Sequence, residues 1–191
     1  MGRMGRAYRD GKGVQQDLNV AADWMRKAAN KNVGWAHHEL FDILWRINTP
    51  ESLREMIERA EQQSGLGNQE MMGRLGRAYR DGRGVQQDLN VAAEWMRKAA
   101  NRNVGWAKNE LFDILWRINT PQTDEEMIKV ASDFAAKGDP NAMGRMGRAH
   151  RDGRGVPRDL VKSAEWFRKA LPKNIWFTNG FAVTINPELS D

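Results

Sequence analysis

Apolar positions through most of this chain recur at three- and four-residue spacing, as in Met4, Gly5 and Tyr8, then Ala21, Trp24 and Ala28, then Ala36, Leu40 and Leu44. That is the period of a helix with one buried face; a half-buried strand would alternate. The pattern predicts a helix near 1–9, a loop through "DGKGVQQ", a helix from about 18 to 30, a third from about 35 to 47, and a fourth running from Thr49-Pro50 to about 63. Asp17 stands where a side-chain oxygen would accept the free N–H groups of a helix start, and Gly11 and Gly13 supply backbone freedom at a helix end. Thr49 and Pro50 read as a cap followed by a residue suited to the first helical position. Alternation appears only in "FAVTI", residues 181–185.

The same text is written again. Residues 1–50 and 72–121 differ only at 4/75, 12/83, 23/94, 31/102, 37/108 and 38/109, and "GRAHRDGRGV" at 147–156 opens a third copy. Each 71-residue unit divides at "ANKNVGWA" and again at "GLGN" into two helical hairpins, close in length to the units of helical solenoids. The expected architecture is therefore all-α, a right-handed α-solenoid of about five hairpins over residues 1–170. Their bounds fall near 1–34, 35–67, 68–105, 106–138 and 139–170. Asp88 and Asp159 repeat the Asp17 cap, and Asp139-Pro140 opens the third copy. Residues 171–191, with Trp176, Phe177, Phe181 and Asn186-Pro187, read as a cap over the last hairpin, because an end repeat leaves apolar surface open.

Gly5, Gly76 and Gly147 fall inside expected helices, where glycine costs about 1 kcal/mol against alanine. Close approach of two helix backbones accounts for them, with Met4, Tyr8, Leu75 and Tyr79 expected to fill the seam within each hairpin. Trp24, Trp95 and Trp166 are expected as packing residues.

Composition narrows the chemistry. The net charge is +5 with 30 Lys and Arg against 25 Asp and Glu, which favours acidic partners. Cysteine is absent, excluding disulfides, thiolate metal sites and a cysteine nucleophile. No apolar run approaches the roughly 20 residues of a membrane span, and the expected location is cytoplasmic. "GKGV" lacks the preceding strand of a phosphate loop, and "DGKG" lacks the spaced carboxylates of a calcium loop. His37 and His38 are neighbours pointing apart, with no third ligand nearby. No nucleophile–base pair emerges, so neither catalysis, a metal nor a cofactor is expected.

The series Gly5, Tyr8, Gly11, Gly13, Val14, Asp17, Ala21, Trp24, Lys27, Ala28 and Ala29 resembles the Sel-one-like repeat, a relative of the tetratricopeptide repeat. The match extends to Met146-Gly147, His150, Gly153, Gly155, Val156, Asp159, Ala164, Trp166 and Lys169-Ala170, while the hairpins beginning at 35 and 106 fit poorly. The resemblance implies an adaptor that holds peptides or proteins rather than an enzyme. By analogy with such solenoids, the first helix of each hairpin lines a concave groove. Arg6, Arg9, Arg77, Arg80, Arg148 and Arg151 are then expected on it, alternating with Trp45, Arg46, Trp116 and Arg117. Arginine forks suit carboxylates or phosphates, and an exposed indole stacks on planar groups. The expected ligand is an acidic peptide or protein surface. The alternatives are a polyanion such as single-stranded nucleic acid or an acidic glycan, and a role as accessory module of a larger enzyme. A solvated arginine face, with Asp10 or Asp42 pairing locally, is the bland alternative, with Trp45 and Trp116 sealing hairpin junctions. The first helix has no preceding hairpin over it, so fraying or end-to-end self-association is expected there.

Overall fold

The computed structural model describes residues 1–171. Among them stand α1 (Gly2–Asp10), α2 (Leu18–Ala29), α3 (Gly34–Ile47), α4 (Pro50–Gly65), α5 (Gln69–Asp81), α6 (Leu89–Asn101), α7 (Gly105–Ile118), α8 (Pro121–Ala136), α9 (Pro140–Asp152) and α10 (Leu160–Ala170), with no strand. The chain is an all-α solenoid in class, divided into two compact units, Met1–Ala107 and Lys108–Asp191. Within the first, each helix from α1 to α5 packs on the next; within the second, α8 packs on α9 and α9 on α10. Except for Leu171, the expected C-terminal cap and its "FAVTI" segment lie outside the described residues.

The helix limits follow from local chemistry. Asp17 Oδ1 accepts from the Asn19 and Val20 amides at 2.8 and 3.0 Å, Asp88 repeats the pair at 2.8 and 3.1 Å, and Asp159 accepts from Lys162 at 2.9 Å. Thr49 with Ser52, and Thr120 with Thr123, exchange reciprocal side-chain and backbone bonds ahead of α4 and α8. Gly11, Gly82 and Gly153 close α1, α5 and α9 in the left-handed region. Asn48 does the same after α3 at φ 59°, and Asn119 follows α7 at φ 59°. Asparagine tolerates that conformation better than most residues. The sequence reading gave these turns to Thr-Pro alone; the asparagine ahead of each pair reverses the chain.

The glycines expected at hairpin seams lie there. A Cβ on Gly5 would stand 2.8 Å from Met25 Cε, one on Gly76 2.9 Å from Met96 Cε, and one on Gly147 3.0 Å from the Phe167 ring. One seam assignment is corrected. Leu75 is fully buried but Met4, expected to fill the same place, is 41% exposed. The residue before the seam glycine lies about 100° round the helix from it. It therefore faces the neighbouring hairpin, which α5 has and α1 lacks among the described residues. Tyr8, by contrast, packs on the core of the first unit, where Met25, Leu40, Ile43, Leu44, Met56 and Met71 interdigitate among alanines.

Candidate functional site

The repeated decapeptide ends each first helix in Arg-Asp, and the pair closes on itself. Arg9 donates from Nε and Nη2 to both oxygens of Asp10 at 2.7 and 3.0 Å. Arg80 grips Asp81 at 2.7 and 2.9 Å, and Arg151 grips Asp152 at 2.8 and 3.1 Å. The Arg9 and Arg80 carbonyls accept from Gln16 and Gln87 at 2.7 Å, which ties each fork to the loop that follows. Arg9 also donates to Glu39 of α3, so its fork is saturated.

Arg6 is held differently. Its guanidinium lies 4.4 Å above the Trp35 ring, its Nε donates to Glu39 at 3.2 Å, and half its side chain remains exposed. Arg77 lies 4.0 Å above Trp106 in the same way. A cation over an indole face is attracted by the ring quadrupole. The sequence reading missed Trp35, Trp106 and Glu39. Their signal was Gly2 and Gly73, placed at one fixed spacing before each tryptophan, because a Cβ at either glycine would run into the indole.

Trp45 and Trp116 are half-buried. Trp45 tilts against Phe41 at 5.8 Å, Trp116 stacks on Phe112 at 5.8 Å, and the loop arginines Arg83 and Arg154 roof the two indoles at 4.5 and 4.6 Å. Arg83 also donates to the Trp45 carbonyl at 2.8 Å, and Arg154 to that of Trp116 at 3.2 Å. Arg46, Arg117 and Arg148 are exposed. Trp24, Trp95 and Trp166 each lie half-buried beneath a lysine, at 4.9, 4.2 and 4.6 Å.

Positive charge is in excess around Asp10. The Arg9 fork, aided by the fields of Lys12 and Arg46, holds the Asp10 carboxyl below its ordinary range. With Glu39 held by Arg6 and Arg9, four cations thus stand with two carboxylates. In the second unit, burial depresses the Arg145 guanidinium and the nearby Arg148 adds to that shift, while Asp113, Asp139 and Glu110 oppose it.

A small pocket in the first unit is lined by His37, Phe41, Leu44, Met56, Arg59, Ala60, Gln63 and Met71. The buried His37 Nδ1 has no partner there, and burial, then Arg59 and His38, push the imidazole below its ordinary value. Among the described residues no three His, Asp or Glu side chains gather as metal ligands, and no helix is long and apolar enough to cross a membrane.

The family model of the Sel1 repeat matches residues 1–33, 69–104 and 140–171. A Sel1 repeat protein from Oxalobacter formigenes superposes with a TM-score of 0.64 at 25% identity, covering 91% of this chain and 72% of that one. The c5321 protein, a protective antigen of uropathogenic Escherichia coli strains with the same repeat fold, superposes at 0.53 and 22% identity, over 88% of this chain and 44% of its own. The second likeness speaks for the fold alone.

Proposed function

This chain belongs to the Sel1 repeat family, a fold that commonly serves protein–protein interaction, and on that premise we propose that it is an interaction scaffold for an acidic peptide or protein surface. The supporting observation is the arrangement around Arg9, where the two carboxylates of Asp10 and Glu39 stand among the four cations Arg6, Arg9, Lys12 and Arg46 and leave positive charge in excess. The forks of Arg9, Arg80 and Arg151, each closed on the aspartate that follows it, serve chiefly to fix the arginine faces. Contact with an acidic segment falls, in the first unit, to Arg6 and Arg46 and, in the second, to Arg117 and Arg148, which are exposed.

Reversing Arg46, Arg117 and Arg148 to Glu tests this. Exposed positions of this kind change stability by no more than about 0.5 kcal/mol each, so the variant melts close to the parent protein. Its affinity for a fluorescent glutamate-rich peptide falls at least tenfold. Unchanged affinity would reduce these arginines to a solvated face. An oligonucleotide that displaces the peptide, with affinity collapsing steeply as salt rises, would instead carry the polyanion reading.

A further inference from the structure

Helices α3 and α7 carry the same sequence except at two places, where His37-His38 stands against Lys108-Asn109. The difference falls at a junction. His37 is half-buried in the pocket that α3 forms with α4 and the first turn of α5, among Phe41, Leu44, Met56 and Met71. Its Nδ1 is shut off from solvent and has no hydrogen-bond partner among the described residues. Beside it, His38 Nε2 meets the Asn68 side chain at 3.2 Å, and Asn68 caps α5 by accepting from the Met71 amide at 3.3 Å.

A neutral imidazole suits that place and an imidazolium does not. The groups whose charge acts on His37 are Arg59 of α4 and His38 next to it, and neither is an acid. The α4 carboxylate Glu55 is already engaged, by Arg26 of α2 at 2.7 Å and by Arg59 at 2.7 Å. Gln63 of α4 and Asn68 ahead of α5 are neutral. A proton on His37 therefore adds a partly desolvated cation that faces a guanidinium.

The second copy shows what a permanent cation needs at the same position. Lys108 lies 4.3 Å over the ring of Phe134, which stands where the first copy has Gln63, and Val130 replaces Arg59. The ammonium has a ring to lie on and no arginine at the place of Arg59. His37 has neither provision.

We infer that the joint of α3 with α4 and α5 is an acid-operated catch: protonation of His37 parts α3 from α4 and bares Phe41, Leu44, Met56 and Met71, whereas the joint of α7 with α8 does not respond. Burial holds the neutral imidazole in place and its folded pKa below the ordinary value. The catch is thus closed above about pH 6.5 and opens as pH falls through the lowered folded value. It shares no residue with the arginines proposed for the acidic ligand.

Hydrogen exchange of the full chain at about pH 7.5 and about pH 5.5, corrected for the intrinsic rate at each, reads the two joints separately because their peptides differ in sequence. Protection of residues 36–47 and 53–63 is expected to fall at least about threefold in acid, while that of 107–118 and 124–134 holds. His37→Leu abolishes the acid response, and His38→Asn, which installs the residue of the second copy, keeps it. His37→Lys makes the joint exchange at the higher pH at least as fast as the parent does in acid. Adding Arg59→Val and Gln63→Phe to it restores protection at both pH values. No acid response, one that survives His37→Leu or vanishes with His38→Asn, or one equal in the two joints overturns the inference. So does a His37→Lys chain as well protected as the parent.

Discussion

The hairpins α1–α2 and α5–α6 share almost every residue yet occupy different environments. Met72 and Leu75 lie in a core, and their counterparts Met1 and Met4 lie in solvent. What differs is the neighbour, since α4 packs on α5 and no helix packs on the outer face of α1 among the described residues. Burial in a stack of repeats is thus a property of the junction as much as of the repeat. The seam inside each hairpin behaves oppositely. Gly5 and Gly76 meet Met25 and Met96 at nearly the same close range, because both partners lie within the repeat.

Substitutions at paired positions sharpen that contrast. Leu75→Ala is expected to lower stability by about 2–5 kcal/mol, the range for emptying a filled core site. Met4→Ala is expected to change it by no more than about 0.5 kcal/mol. Chemical denaturation of the two variants measures both, and equal losses would break the comparison. Gly76→Leu and Gly5→Leu should each cost about 1–3 kcal/mol through overpacking, and should do so alike.

Smaller effects follow from titration. His37, half-buried, has its folded pKa pushed by burial below the ordinary value of 6.5, so the unfolded chain takes up a proton first. The first unit is expected to lose stability as pH falls from about 6.5 through the lowered value. His37→Leu should flatten that limb of a stability–pH profile. At Glu55 burial pushes the carboxyl up, but the donors Arg26 and Arg59 outweigh it and the net shift is downward. Its contribution is present above the ordinary glutamate range and disappears as pH falls through the lowered value, so Glu55→Gln should shorten the acid limb. The second repeat offers the contrast for His37, because Lys108 and Phe134 stand where His37 and Gln63 do, with the ammonium 4.3 Å from the ring.

The hairpins, their caps and the seam glycines were legible because each rests on local chemistry. Asp17 caps amides two and three residues away, and Gly5 answers to α2 of its own hairpin. Arg6 and Arg77 were picked out by their place on the first helices, but their tryptophan platforms were not. Trp35 and Trp106 are contributed by the next hairpin, and their one mark is the glycine a helical turn before each arginine, Gly2 and Gly73. Met4 was misplaced for a related reason. Helical period put it on an apolar stripe, but the side of that stripe facing the adjacent hairpin is buried only when that hairpin is present. Glu39, which holds both Arg6 and Arg9, carries no local mark at all.

Hydrogen exchange read by mass spectrometry tests the central claim most directly, because the Met4/Leu75 and Lys12/Arg83 differences let peptides from the two copies be told apart. Local opening sets the rates, and an uncovered helix opens at lower cost than one packed on both sides. Amides of residues 5–10 should exchange at least about a hundredfold faster than those of 76–81, despite their identical sequence. Equal protection in the two copies would contradict the account, since burial would then follow the repeat and not its neighbour.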